Sequence, residues 1–213
     1  MANARSEDFK SPHCRLSYAQ SLFKARANEG GGNPKFGCTL IFDKADRKAL
    51  EEIVAKVIKD QWGPGGMERA KKGLIKSPFL AGDGKEAHSK KTGELHAGLG
   101  ADVFFIRPSA NEDRPPRVWF RDPNKQETED VVYSGVYGKA ILNAFAWSAT
   151  SGDGVSFGIQ GFQRIPHPKH GDGERLGGSG GIDPEKWNET IADDGPVPES
   201  AKSGAGASGL FGD

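Results

Sequence analysis

A mainly β chain, folded as a small barrel or sandwich with one main helix, is what the sequence predicts. Three observations carry this. Short alternating apolar and polar stretches recur along residues 13–165, with Gly and Pro clusters between them. One segment alone has a clear apolar stripe at helical spacing. From Pro166 to Asp213, 16 of 48 residues are Pro or Gly, and apolar residues are too sparse to offset the entropy of ordering. The chain therefore divides into a flexible N-terminus (1–12), a folded domain (13–178) and a flexible acidic tail (179–213), in which Ile182–Asn188 is a local exception that can dock by Trp187.

The elements follow in order. His13–Tyr18 alternates, with Cys14, Leu16 and Tyr18 on one side. Asn28–Pro34, with three glycines and a proline, is a loop. Lys35–Phe42 alternates again, grouping Phe36, Cys38, Leu40 and Phe42 and leaving Lys35 and Thr39 outward. Asp43 or Asp46 then caps the helix, whose stripe is Leu50, Ile53, Val54, Val57 and Ile58, and Gly63-Pro-Gly-Gly66 ends it. Residues 63–100 form a long, partly mobile, basic Gly-rich insertion, with seven Lys or Arg against two acids between Arg69 and Lys91. A short helix near Met67–Lys72 is expected there, and the insertion can contribute a strand. Strands return at 101–107, 117–121, 134–147 and 154–165, and Gly152-Asp-Gly154 reads as the turn between the last two.

The strand faces point to chemistry. Along 134–147 the even positions, Val136, Gly138, Ala140, Leu142, Ala144 and Ala146, are small and apolar and suit an interior. The odd positions, Tyr137, Lys139, Ile141, Asn143, Phe145 and Trp147, mix large rings with polar groups. Arg117, Trp119 and Arg121 share one face of their strand, opposite Val118 and Phe120. Along 155–165, Val155, Phe157, Ile159 and Ile165 read as inward, and Gln160, Phe162 and Arg164 as outward. Strict alternation supports these splits unless a bulge intervenes. Rings interleaved with cations suit single-stranded nucleic acid, because every base has a π-face to stack and cations track the phosphates.

Charge and composition bound the rest. The 29 basic and 29 acidic residues cancel, but residues 182–213 hold two Lys and seven acids, leaving the preceding 181 residues with a charge of +5. No apolar run reaches the roughly 18 residues that would span a bilayer, and MANARSEDFK lacks the apolar core of a secretory signal. Cys14 and Cys38 make neither a disulfide framework nor a zinc pattern and read as buried thiols. No Gly-rich segment is followed by Gly-Lys-Ser/Thr, which excludes a Walker-type ATPase. Glu127-Thr-Glu-Asp130 reads as a solvated loop rather than a Mg²⁺ site. His167-Pro-Lys-His170 has no third metal ligand nearby in sequence and also reads as a solvated loop. A non-enzymatic protein without metal or cofactor is the expectation.

Three stretches bear a family resemblance. These are Arg15-Leu-Ser-Tyr18 with Leu22-Phe23 and Pro34–Lys44; Val132-Tyr-Ser-Gly-Val-Tyr-Gly-Lys-Ala140; and Gly154–Ile165 with Gly173-Glu-Arg-Leu-Gly-Gly178. On these the chain resembles bacteriophage single-stranded-DNA-binding proteins with an OB fold. The resemblance implies an OB-type barrel, binding to single-stranded DNA in phage replication or recombination, location in the cytoplasm of the infected host, and no enzymatic activity. It also implies an acidic tail that recruits replication or recombination enzymes and competes with DNA. Here Leu210-Phe211 lies near the end, but Gly212-Asp213 follows.

The candidate stacking residues are Tyr18, Trp119, Tyr133, Tyr137, Trp147 and Phe162. The candidate phosphate contacts are Arg15, Lys35, Arg107, Arg117, Arg121, Lys139 and Arg164. Two other readings of the same faces stand. One is a protein-interaction or virion-associated structural module, since aromatics and Arg are also enriched at subunit interfaces. The other is a strand-annealing or duplex-binding protein on the same fold. A homo-oligomer is compatible with each, and a membrane partner with none.

Overall fold

The computed structural model of the chain describes residues 3–27 and 32–177. Its strands are β1 (Phe9–Lys10), β2 (Cys14–Ser17), β3 (Lys35–Gly37), β4 (Thr39–Asp43), β5 (Ile75–Lys76), β6 (Leu80–Ala81), β7 (Val103–Ile106), β8 (Ser109–Asn111), β9 (Arg117–Trp119), β10 (Tyr137–Ala149) and β11 (Gly152–Arg164). The helices are α1 (Gln20–Phe23), α2 (Arg47–Trp62) and α3 (Gly66–Lys71). The strands form one sheet, in the order β3-β8-β11-β10-β2-β4-β7-β6. β1 pairs with β10, and β5 and β9 pair with β11. The two ends of this path, β3 and β6, are not paired with each other, so the mainly β architecture with one main helix is built on an open sheet.

The long hairpin β10–β11 is the spine. Val136, Ala140, Leu142, Ala144 and Ala146 are all buried, as the alternation predicts. α2 packs on this hairpin through Leu50, Val54, Val57 and Ile58, and its last turn closes at Gly63. Asp46 stands at the helix start but makes no side-chain cap bond. The hairpin turn is Thr150-Ser151, because Ala149 pairs with Gly152, whose φ of 119° suits glycine. It thus falls two residues before the expected one.

Four expectations are corrected. The N-terminus, expected to be flexible, is paired from residue 4 on: Arg5 bridges Phe145, Phe9 lies opposite Leu142, and the Ser6 and Ser11 hydroxyls accept from the backbone of Ala144 and Ala140. Its main-chain groups complete the free edge of β10, a requirement that no side-chain pattern announces. The 63–100 insertion is also built into the fold. β5 and β6 add to the sheet, α3 forms near its expected place, and Ile75 and Ala87 are buried. Thr39, expected outward, is buried, because both faces of β4 are covered. One face carries Leu40 and Phe42 into the main core; the other carries Ile41 into a second cluster with Phe105 and Ala87, over which Leu80, Leu99 and Leu176 pack.

The fourth correction is a β-bulge. Leu142 pairs with Ile159 but Ile141 pairs with Gly161, so Gln160 is an extra residue on β11. The bulge reverses the alternation beyond it. Phe162, expected outward, lies opposite Ala140 with no solvent exposure. The expected tail, 179–213, lies outside the described residues, as do Asn28–Gly31 of the expected loop.

Candidate nucleic-acid interface

Strand register collects part of the predicted site on one outer face. Tyr137 lies opposite Arg15, Arg15 opposite Ile41, Ile41 opposite Phe105, and Phe105 opposite Leu80. Residues opposite each other share a face, so this row crosses β10, β2, β4, β7 and β6. Its middle, Ile41 and Phe105, is roofed by the insertion. Its two flanks carry the polar and aromatic groups.

On one flank a groove of about 510 Å³ is lined by Tyr18, Arg26, Lys35, Phe36, Thr39 and Arg107, among others. Tyr18 leaves the alternation of β2 because its φ is 57°, which swings the ring outward to 47% exposure. Its hydroxyl lies 3.4 Å from His96 Nδ1. Lys35 is held where backbone bonds tie it to Arg26. Arg107 spans Phe105, 5.2 Å from its ring centroid, and donates to the Glu86 carbonyl at 2.8 Å. A second hollow of about 890 Å³ continues past Lys35 along Asn33, Pro34 and Asn111–Asp113.

On the other flank Arg15 sits 5.7 Å over the Tyr137 ring and donates to the carbonyls of Gly135 and Glu174. The rings of His167 and His170 lie 5.0 and 5.5 Å from Tyr137, the second nearly parallel to it. His13 stands edge-on to His167 at 5.2 Å. Desolvation is the main cause that lowers the pKa of His13, with Lys139 adding, and desolvation likewise lowers that of His167. The Tyr137 hydroxyl is raised by burial, against the opposing pull of Arg15. Asp43, His167 and His170 place one potential ligand atom each within 4.8 Å of one another.

The remaining predicted residues do not join these flanks. Trp119 lies against Gly161, where an added Cβ would come within 2.8 Å of the ring. Trp147 covers Gly154, donates from Nε1 to Ser156 Oγ at 2.9 Å and carries Lys76 over its ring. Ten residues along β10 separate it from Tyr137, roughly 33 Å at strand rise. Arg117 and Arg121 are exposed at the β9 edge, Arg121 over Phe120. Tyr133 is flanked by the Arg175 and Arg164 guanidinium groups at 4.1 and 5.5 Å and donates to the Gly173 carbonyl.

Two of the expected DNA-contacting residues are corrected. Phe162 belongs to the core. Arg164, whose side chain is 14% exposed, donates to the Val131 carbonyl at 2.6 Å, pairs with Asp172 and stacks on Phe120. It ties the segments 120–133 and 165–172 to the sheet and has little freedom to meet a phosphate. Sequence reasoning missed Arg26 and Phe36. Phe36 falls in an alternating run that breaks at Cys38, between β3 and β4, and Arg26 beside the glycine loop carries no periodic signal.

Comparisons with known proteins agree with this architecture. A family model described as the ssDNA-binding protein of Enterobacter phage Enc34 matches residues 9–194. The chain is similar to the solved structure of the single-stranded DNA-binding protein from bacteriophage Enc34 in complex with ssDNA. Identity is 16%, covering 80% of this chain and 89% of that chain, with a TM-score of 0.56. For the C-terminal truncation of the same phage protein, identity is 18% over 79% and 88% of the two chains, with a TM-score of 0.54. For a further structure of that protein the values are 16%, 88%, 99% and 0.51. At these identities the likeness is one of fold. No match was found among curated protein sequences.

Proposed function

The chain belongs to the Enc34 phage single-stranded-DNA-binding protein family, and from that premise we propose that it binds single-stranded DNA with little sequence preference through the two flanks that the insertion leaves open, the groove beside β3 and the Arg15–Tyr137 end of β2 and β10. The observation that carries this reading is the groove in which Tyr18 and Phe36 stand among Arg26, Lys35 and Arg107. Aromatic faces accept any base, and three cations beside them neutralise the phosphates that the strand brings. Arg15, Tyr137 and Lys139 extend the path on the second flank. Arg117, Trp119 and Arg121 at the β9 edge and Trp147 at the hairpin tip are outlying contacts for a longer strand, and Tyr133 stays a lesser candidate between its two arginines. We read the protein as a non-enzymatic component of phage DNA replication or recombination, acting in the host cytoplasm.

The acidic stretch 182–213, with a charge of −5, is the natural intramolecular competitor for a basic face. The test is fluorescence anisotropy of labelled oligo-dT at two salt concentrations, with the full chain and with a chain ending at Gly181. Salt-sensitive binding to oligo-dT, weaker binding to duplex and tighter binding on truncation are expected. Equal affinity for duplex would favour an annealing or duplex-binding role. No binding by either chain would overturn the proposal.

A further inference from the structure

The loop after β11 carries a feature that DNA binding does not explain. His167 and Gly171 exchange two backbone hydrogen bonds, of 2.7 and 2.9 Å, closing a tight turn over Pro168-Lys169-His170. That turn holds the two imidazoles face to face, 4.7 Å apart and 27° from parallel. The loop lies against the end of β4, where Asp43 leads into the short 3-10 turn Lys44–Asp46 and then α2. The third ligand comes from 124 residues away, because Asp172, near the histidines in sequence, is paired with Arg164 instead.

We propose that Asp43, His167 and His170 form a binding site for a divalent transition-metal ion of the zinc class. The donor set is two imidazole nitrogens and one carboxylate oxygen, the borderline chemistry that zinc, cobalt and nickel favour over magnesium or calcium. Ligands about 2.0–2.2 Å from a tetrahedral ion lie about 3.4 Å apart, so the three atoms, now within 4.8 Å, close by small side-chain rotations. His167 gives up the 3.1 Å bond that its Nδ1 accepts from the Lys169 N–H, whichever ring nitrogen takes the ion. His13 is the next imidazole, edge-on to His167, and its Nε2 is shielded from solvent without a hydrogen-bond partner. Bound metal would fasten the loop to the sheet and keep the His170 ring over Tyr137.

The experiment is calorimetric titration of Zn²⁺ into the full chain, with Co²⁺ titrated in parallel and followed by its visible absorption. Wild type is expected to bind one equivalent and to give the intense visible bands of a tetrahedral cobalt site. D43N and H170A, both at exposed positions, are each expected to bind at least tenfold more weakly. The H88A/H96A double variant, which removes the remaining histidines apart from His13, is expected to bind as wild type does. Absence of stoichiometric Zn²⁺ binding by wild type would overturn the proposal without recourse to any variant. So would unchanged affinity in D43N, or a loss confined to H88A/H96A.

Discussion

Phe162 and Tyr18 should behave in opposite ways when truncated. Alternation puts Phe162 on an outer face and Tyr18 on the side of the buried Cys14 and Leu16, whereas the bulge at Gln160 sends Phe162 into the core and the left-handed backbone at Tyr18 sends that ring outward. Phe162 has no exposed surface and lies opposite Ala140, with Val118 and Val132 in the same cluster. Phe→Ala at such a site costs about 3–5 kcal/mol, from lost burial plus a cavity that collapses only in part. For a domain of this size about 4 kcal/mol lowers Tm by roughly 8–16 °C. Tyr18→Ala keeps the Cβ and therefore the same backbone strain, so its stability should stay within about 0.5 kcal/mol of wild type. Its cost should fall on binding, where removing one base-stacking ring costs about 1–3 kcal/mol, or roughly 5- to 150-fold in affinity. Thermal unfolding and oligo-dT anisotropy on the same samples separate the two effects. A Phe162→Ala protein with unchanged Tm and fivefold weaker binding would refute the register argument. An unchanged affinity in Tyr18→Ala would remove the groove from the interface.

Three further outcomes follow from the same geometry. Replacing Lys35 and Arg107 together by Ala should flatten the plot of log affinity against log salt by about 1.4, near 0.7 for each phosphate no longer neutralised; an unchanged slope would show that these cations do not face the backbone. Cys14, whose thiol burial pushes up to about 12, and Cys38, also raised by burial, should resist alkylation at pH 8 in the native protein and react fully in denaturant; fast native labelling would contradict the packing around β2 and β4. His13 and His167 are held below the usual histidine range, chiefly by desolvation, so the unfolded chain binds more protons just below pH 6.5. Their contribution is complete above that pH and is lost as pH falls through the lowered values, so the urea midpoint in metal-free buffer should drop from pH 7.5 to pH 5.5, and less steeply in H13Q/H167Q.

How much was legible in the sequence depended on whether local pattern or distant pairing set the outcome. The α2 stripe and the small-residue face of β10 were readable because a helix repeats every 3.6 residues and a strand every two. The same rule failed where a single residue broke the period. Gln160 bulges and inverts everything after it, and the positive φ at Tyr18 frees a ring that the pattern buries. A bulge is a property of two strands, so one strand's sequence does not announce it.

The mainly β class, the main helix, the segregation of acidic charge beyond residue 181 and the presence of rings and cations on strands were all readable from the amino-acid order. Those follow from composition and short-range periodicity, which every chain segment carries within itself. Which rings stand exposed, which cations are already engaged and which distant segments meet emerge only once the sheet is assembled. The groove draws Tyr18, Arg26, Lys35 and Arg107 from four separate segments, and Asp43 reaches His167 and His170 across most of the chain. Such meetings are set by sheet order and register, and these minimise the free energy of the whole fold rather than of any one segment.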